Sequence, residues 1–347
     1  VIPRLDFSEG IPESSATMVI VPTLLSNKKR VSDMLSNLEK YFVAVSSENV
    51  FFTLVGDAKE SETEDIEEDE EIVREGISTV NRLNEKYGAK KFFFVYRKRF
   101  FNASEEKWLG WERKRGAILK FNEFLIDGKK EDYRCVSDGF NTLPKIKYVL
   151  TVDADTIIPI NEARKLIGAI SHPVNKPVLN EEETAVVSGY GLIQPHIGID
   201  VVSANQSKFS QVFAGTGGID PYVCASSDIY QDLFGEAIFT GKGIYDLEVF
   251  QKVLKDTLPD NAILSHDLLE GSYLRAGLAT DIELIDGYPS RYNAYAMRAH
   301  RWIRGDWQIL SWMFGKVKNR ANETIKNPIN KISKWKIFDN LRRSLTA

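Results

Sequence analysis

Short runs of β-branched and aromatic residues alternate with stretches of helical spacing through the first half of the chain. Met18-Val19-Ile20-Val21 reads as a buried strand running into a loop at Pro22-Thr23. Val31, Leu35, Leu38 and Phe42 then recur at helical spacing, and Val50 to Val55 is a second strand ending in Gly56-Asp57. That strand–helix–strand order opens a Rossmann-like half. Ile72, Ile77, Val80 and Leu83 mark another helix, and Phe92 to Tyr96 a third strand. Ala117 to Leu125 is helical, residues 127–147 read as a connection, and Tyr148 to Val152 is a short apolar strand. A short helix at Ala163 to Ile170 and a strand at Ala185 to Ile193 follow. From there to about Ser311 the chain is dense in Gly, Asp, Tyr and Trp, as expected of a binding region built from loops.

Composition narrows the class. With 347 residues, 43% hydrophobic and 27% charged, the chain is a globular protein able to bury a sizeable core. A formal net charge of −4 argues against a nucleic-acid partner, because no basic excess serves a phosphate backbone. Cys135 and Cys224 are expected to be reduced thiols, which fits the cytosol. No apolar run is long enough to span a bilayer and nothing resembles a signal peptide. The start at Val1 rather than Met suggests a piece of something larger. The acidic tract Glu60 to Glu71 reads as a solvated loop and helix start, with an acidic docking surface as the alternative.

Candidate chemistry centres on Asp153-Ala154-Asp155, at the end of the Tyr148 to Val152 strand. In parallel α/β sheets ligands bind beyond the carboxyl ends of the strands. Two carboxylates there suit a hard cation such as Mg²⁺ or Mn²⁺; taken alone, paired acids in a loop are more often solvated turn formers. Gly110-Trp111-Glu112-Arg113-Lys114-Arg115-Gly116 sets three cations before a helix, a pattern that suits a diphosphate or an ordinary basic turn. Gly215-Thr216-Gly217-Gly218 and Phe239 to Asp246 bring backbone close to a ligand or simply turn the chain. Tyr230-Gln231-Asp232 supplies hydrogen-bonding groups of the kind sugar sites use. In Leu264 to Gly271, Ser265 is a candidate N-cap and Asp267 suits either the helix dipole or a catalytic base. With 4 histidines in the chain, no His/Cys cluster supports zinc around His266. Arg298 to Gln308 mixes arginines with Trp302 and Trp307; Trp stacks on sugar rings and Arg reads phosphate.

Together these motifs resemble the processive family-2 glycosyltransferases of the GT-A fold. The Asp153/Asp155 pair, Asp267 and Arg298/Arg301/Trp302 match that family's Asp-x-Asp, acidic base and Arg-x-x-Arg-Trp motifs. The base motif reads Ser-His-Asp where cellulose-type synthases have Thr-Glu-Asp, so the match rests on its final aspartate. Leu5 to Pro12, Val21 to Leu25, Gly110 to Gly116, Tyr230 to Gly235, Gly241 to Asp246, Ser265 to Gly271 and Arg301 to Gln308 resemble one branch more closely, the glycosyltransferase domain of bacterial cyclic β-1,2-glucan synthases.

That resemblance implies an α/β GT-A fold with a mostly parallel, helix-flanked sheet. Residues 1–16 would be a lead-in, 17–160 the donor half and 161–315 the acceptor and catalytic half. Residues 316–347 would be an amphipathic tail, lying on a membrane surface or packed on the domain. It implies UDP-glucose as donor, a growing β-glucan as acceptor, flanking membrane helices and a phosphorylase-like region, and a site on the cytoplasmic face of the inner membrane. Pro22, Thr23, Asp57, Lys114, Arg115, Asp153 and Arg301 would bind the donor, and Asp153 with Asp155 the metal. Asp267 would be the base, while Tyr230, Asp232, Gly241, Lys242, Trp302 and Trp307 would serve the acceptor. Alternatives are an inverting transferase for another β-glucan or UDP-sugar and a non-catalytic sugar-binding module. A nicotinamide enzyme is disfavoured, since no Gly-x-Gly-x-x-Gly follows the first strand.

Overall fold

The computed structural model describes residues 1–45, 47–214 and 228–345. Gly215 to Gly218 and Cys224, singled out above, lie outside the described residues. The chain forms two units, Phe7–Ala154 and a second made of Val1–Asp6 with Asp155–Ala347.

The first unit is a helix-flanked sheet. Its elements are β1 (Thr17–Leu25), α1 (Lys28–Val45), β2 (Val50–Ala58), α2 (Glu68–Tyr87) and β3 (Phe92–Arg97). A hairpin of β4 (Phe100–Asn102) and β5 (Lys107–Leu109) follows, then α3 (Arg113–Asp127), β6 (Tyr133–Val136) and β7 (Tyr148–Thr151). The strand order is β7-β1-β2-β3-β6, parallel except for β6. Residues 127–147, read as a connection, therefore contain an edge strand. The sequence there lacks the apolar alternation of a strand because β6 pairs on one side alone and is half-buried. Both faces of the central strands are covered, which is why they read as continuous apolar runs rather than alternating ones. Phe52, Phe92, Phe93 and Phe94 are almost wholly buried, each contributing about 1.5–3 kcal/mol of hydrophobic stabilisation. Phe42 closes the α1 side, its ring 4.6 Å from Tyr87 and 5.2 Å from Phe92.

The acidic tract is not all solvated. Asp69, in the first turn of α2, is fully buried and accepts hydrogen bonds from Tyr96 Oη at 2.7 Å and from Arg99 Nη1 at 2.5 Å and Nη2 at 3.0 Å. Asp65 and Glu70 pair with Arg134. One carboxylate of the run is thus a structural anchor, and its neighbours are exposed.

The second unit contains α4 (Glu162–Ser171), the two-stranded β8 (Val178–Leu179) and β9 (Val186–Ser188), and β10 (Leu192–Ile199). Short helices α5 (Val201–Ala204), α6 (Lys208–Phe213) and α7 (Ile229–Phe234) lead to β11 (Gly243–Asp246), α8 (Leu247–Leu254), α9 (Asp267–Tyr273) and β12 (Gly277–Asp286). Then come α10 (Tyr292–Gln308), the hairpin β13 (Lys316–Lys318) and β14 (Thr324–Lys326), and α11 (Lys331–Leu345). β10 pairs with β12 in parallel and with β11 antiparallel, and α4 packs on these strands. This is the α/β, mostly parallel, helix-flanked architecture that the resemblance implies.

Other expectations change as well, beginning with Pro22-Thr23, read as a loop, which continues β1. The apolar run at 185–193 is two strands, interrupted at Gly189, whose φ of +66° breaks an extended ladder. The loop-like region after residue 193 holds β11 and β12 in its core, hidden by their glycines and aspartates. Residues 1–6 join the second unit: Leu5 N–H donates to Gly168 O at 3.0 Å and Asn175 Nδ2 to Pro3 O at 2.8 Å. The tail helix α11 docks on this unit as well. Its Lys336 is buried, donates to Ala237 O at 3.0 Å and lies 3.5 Å from Glu236, and burial lowers its ammonium pKa.

Asp69 gives a test of the first unit. Burial opposes its charge, but hydrogen bonds from Arg99 and Tyr96 outweigh that and hold its carboxyl below the usual 3.8. Its contribution is therefore present above 3.8 and lost as pH falls through the lowered folded value. Asp69→Asn, which strands the Arg99 charge, is expected to cost about 3 kcal/mol in urea unfolding at neutral pH. The gap from wild type should narrow as pH drops below 3.8.

Candidate active site

The carboxyl ends of β1, β2, β3 and β7 gather the expected donor-side residues of the first unit. Pro22 and Thr23 lie within β1, and Thr23 is in register with Gly56, the residue before Asp57. Asp57 is buried and accepts from Arg97 Nη1 at 3.1 Å. Burial pushes the Asp57 carboxyl above its ordinary range, with Arg97 pulling the other way. Arg97 is itself almost fully buried and also donates to Trp111 O at 2.7 Å and Arg113 O at 3.2 Å. Those carbonyls flank Glu112 and Arg113, both in left-handed backbone with φ near +50°. Arg97 thus ties the strand end to the strained turn that opens α3. Gly110 is required here, because a Cβ on it would stand 2.0 Å from Asp57 Oδ1.

The three cations of that turn separate once folded. Arg115 is buried against Glu112, 2.6 Å away, so it supports the helix start. Arg113 reaches out to Glu105 at 2.7 Å. Lys114 alone meets the Asp-x-Asp stretch, its Nζ 2.6 Å from Asp153 Oδ1 with both side chains about one-third exposed.

The second unit begins at the other carboxylate of that pair. Asp155 is exposed, and Thr156 beside it is buried, its hydroxyl donating to Asp286 Oδ1 at 2.8 Å. Ile157 and Ile285 exchange backbone hydrogen bonds at 2.7 and 3.0 Å, stitching this segment to the end of β12. Asp286 Oδ2 lies 2.8 Å from Lys242 Nζ, with both side chains buried. Gly241, at φ +90°, is close enough to Asp267 that a Cβ would stand 3.0 Å from both carboxylate oxygens. Upstream, Gln194 of β10 accepts from Thr240 N–H at 2.9 Å and donates to Ile238 O at 2.8 Å. The Gly241-Lys242 segment is therefore fixed on three sides.

Asp267 opens α9. The expected N-cap Ser265 does not cap it: the N-cap position is His266, without a side-chain cap bond. Ser265 instead packs beneath α10, its Cβ 2.2 Å from where a Cβ on Gly305 would stand. Gln308 of α10 also accepts from Leu264 N–H at 2.8 Å, so α10 braces the approach to Asp267. His266 Nδ1 lies 2.7 Å from Glu270 and 3.7 Å from Asp267. Among the described residues these three form a cluster of potential ligands, but the His266–Glu270 contact accounts for its geometry.

The remaining expected residues scatter. Tyr230 is buried under α11, with Lys336 5.5 Å from its ring centroid and its hydroxyl 3.4 Å from Asp339; burial pushes the phenol up to about 12. Asp232 is exposed and borders a cavity of about 400 Å³ with Tyr190, Gln231 and Arg275. On α10, Arg301 is exposed, the Arg298 guanidinium sits 4.7 Å from the Trp302 ring centroid, and Trp307 Nε1 donates to Ser344 Oγ at 3.1 Å.

No family model matches the chain. Over 345 residues, however, it is 39% identical to the cyclic β-(1,2)-glucan synthase NdvB of Rhizobium meliloti (strain 1021). The chain is homologous to a segment of that synthase. The alignment covers 98% of this chain and 12% of the relative, so the resemblance read from scattered motifs holds along nearly the whole sequence. Among solved structures, S. aureus TarS 1–349 aligns at 11% identity with a TM-score of 0.42, covering 94% of this chain and 70% of that one. Galactosyltransferase LgtC, solved with donor and acceptor sugar analogs, aligns at 13% with a TM-score of 0.33, covering 76% and 73%.

Several supporting residues escaped the sequence reading: Arg97, Gln194 and Asp286. Asp286 had a usable signal, since Ile282 and Leu284 alternate toward a strand end capped by Asp-Gly. The others carry no local pattern, because their partners are distant in sequence.

Gly241 gives a direct test of this packing. Gly241→Ala is expected to destabilise by about 1–3 kcal/mol in denaturant unfolding, from the left-handed backbone and the Asp267 contact together. In a Gly241→Ala/Asp267→Ala cycle, part of that cost should return; strict additivity would mean that the two positions do not touch.

Proposed function

We propose that this chain is the glycosyltransferase segment of a β-glucan synthase, transferring glucose from UDP-glucose onto a growing β-1,2-glucan with inversion. The observation that carries this reading is the 39% identity across 98% of the chain to a segment of a cyclic β-(1,2)-glucan synthase. The arrangement of carboxylates and cations supports it.

Asp153 and Asp155 suit Mg²⁺ or Mn²⁺: both are carboxylates, one residue apart just past β7, one half-buried and one exposed. When bound, the metal would offset charge on the departing diphosphate. Lys114, held against Asp153, supplies a further positive charge on the donor side. Asp57 is a buried acceptor at the end of β2, fitted to an N–H of the uracil ring, with Arg97 fixing it and Pro22 and Thr23 on the adjacent strand. Arg115, neutralised by Glu112, holds the start of α3 in place.

Asp267 is the base. It takes the proton from the 2-hydroxyl of the acceptor's terminal glucose as that oxygen bonds to the anomeric carbon. The bond from that carbon to the diphosphate oxygen breaks, and its electron pair leaves with UDP. A single displacement converts the α-linked donor into a β-linked product. Arg301 and Trp302, exposed on α10, and Trp307 beside them are the surface offered to diphosphate and sugar.

Calorimetric titration tests this reading. UDP-glucose should bind wild type in a Mn²⁺-dependent way and lose that dependence in Asp155→Ala. Asp267→Asn should retain binding while losing at least about a hundredfold in turnover, as removal of a general base does. Loss of binding in Asp267→Asn would place that residue in the donor site instead.

The tail fits a membrane-associated enzyme. No helix among the described residues is long and apolar enough to cross a membrane. Yet the outward stripe of α11 runs Lys331, Trp335, Phe338, Arg342, Leu345, at helical spacing, with Trp335 53% and Phe338 40% exposed. Aromatic and aliphatic side chains flanked by cations suit the interface of an anionic bilayer. The protein should co-sediment with vesicles containing anionic phospholipid, and Trp335→Ser/Phe338→Ser should weaken that by about tenfold. Equal sedimentation of both proteins would remove α11 from any membrane role.

A further inference from the structure

The reading above leaves one buried charged cluster without a task. Asp286 is 3% exposed and Lys242 5%, and a charge taken this far out of water must be paired. Each Asp286 oxygen has a partner: Oδ2 the Lys242 ammonium at 2.8 Å, Oδ1 the Thr156 hydroxyl at 2.8 Å. Asp286 also caps the strand stitched by Ile285 to Ile157. Next along the chain, a Cβ on Gly287 would stand 3.5 Å from Asp155 Oδ2. Lys242, in turn, follows Gly241, which lies against the Asp267 carboxylate. The cluster thus touches the segment carrying one proposed metal carboxylate and the segment carrying the proposed base. Its cation is already committed to an ion pair, and its position below the surface gives it little reach toward a sugar.

We infer that Lys242, Asp286 and Thr156 form a positioning cluster that sets where Asp155 points, and hence the affinity for the metal–nucleotide pair, rather than a subsite for the acceptor. This rests on the metal reading of Asp155 given above. The physical basis is lever-like. The Thr156 hydroxyl bond fixes the backbone on the carboxyl side of Asp155, an exposed side chain whose orientation depends on where that backbone sits. The Lys242 ion pair in turn locks Asp286, leaving Thr156 a single acceptor geometry. Partners that orient a metal ligand without binding the metal change affinity by about 10–100-fold when removed.

The test uses Thr156, because replacing it strands no charge. In Thr156→Val, which keeps the shape and loses the hydroxyl, Mn²⁺ affinity followed by electron paramagnetic resonance should fall about tenfold. Mn²⁺-dependent UDP-glucose binding by calorimetry should fall with it. The KM for a β-glucan acceptor should stay within twofold, and Thr156→Ser should restore both affinities. If the valine variant does not fold, Thr156→Ala carries the same comparison. Unchanged Mn²⁺ affinity, a serine variant as weak as valine, or a shift confined to acceptor KM would overturn the inference. UDP-glucose binding by wild type that ignores Mn²⁺ and survives Asp155→Ala would instead remove the metal reading, and this inference with it; the wild-type and Asp155→Ala titrations separate that failure from the others.

Discussion

Charge cannot be left unpaired at the end of a buried strand, and both units of this protein are organised by that constraint. In the first, Asp57 stands one residue before the end of β2 and Arg97 ends β3, and the two meet at 3.1 Å below the surface. The guanidinium has donors to spare, and it uses them on Trp111 and Arg113 carbonyls. A left-handed turn that would otherwise be costly is thereby anchored, and α3 begins in a fixed place with Lys114 against Asp153. In the second unit, Asp286 ends β12 and Lys242 answers it. Breaking either pair would leave a buried charge uncompensated, which typically costs about 3–5 kcal/mol.

The same logic separates motif residues that solvent reaches from those locked against a partner. Arg115 and Lys242 carry the charges a nucleotide-sugar site calls for, yet each is buried against a partner of opposite charge. Asp155 and Asp153 are more open, and Asp267 is about one-third exposed beside Gly241. A metal ligand or a base must be reached by its substrate, whereas a positioning charge works better when water is kept away. Exposure, more than residue type, separates the motif residues that solvent reaches from those locked against a partner.

Helix α10 and the tail show a different division of labour. α10 buries little besides Gly305, where it lies on Ser265, and so braces the loop before Asp267 while leaving its arginines and tryptophans at the surface. α11 is held by Lys336 and Asn340 on one side, with an aromatic and basic stripe on the other. Of the two readings of the tail taken from sequence, the packed helix describes one face, and the other face stays exposed.

The sequence by itself determined the central strands and flanking helices of the first unit, because strands covered on both faces and helices covered on one leave unmistakable apolar periods at Val19 to Val21, Phe52 to Val55, Phe92 to Val95 and Val31 to Phe42. It also determined the motifs, and through them the likeness to a glucan synthase segment. Tertiary structure alone decided which of the motif cations stay available, since Glu112 reaches Arg115, Asp153 reaches Lys114 and Asp286 reaches Lys242 only after folding. It alone made strands of Tyr133 to Val136 and Gly243 to Asp246, segments too short or too polar to declare themselves, which are strands because a neighbour offers its ladder. Local periodicity records what a segment buries. The partner of a buried charge lies as much as 130 residues away, as Thr156 and Asp286 do, and no local pattern records it.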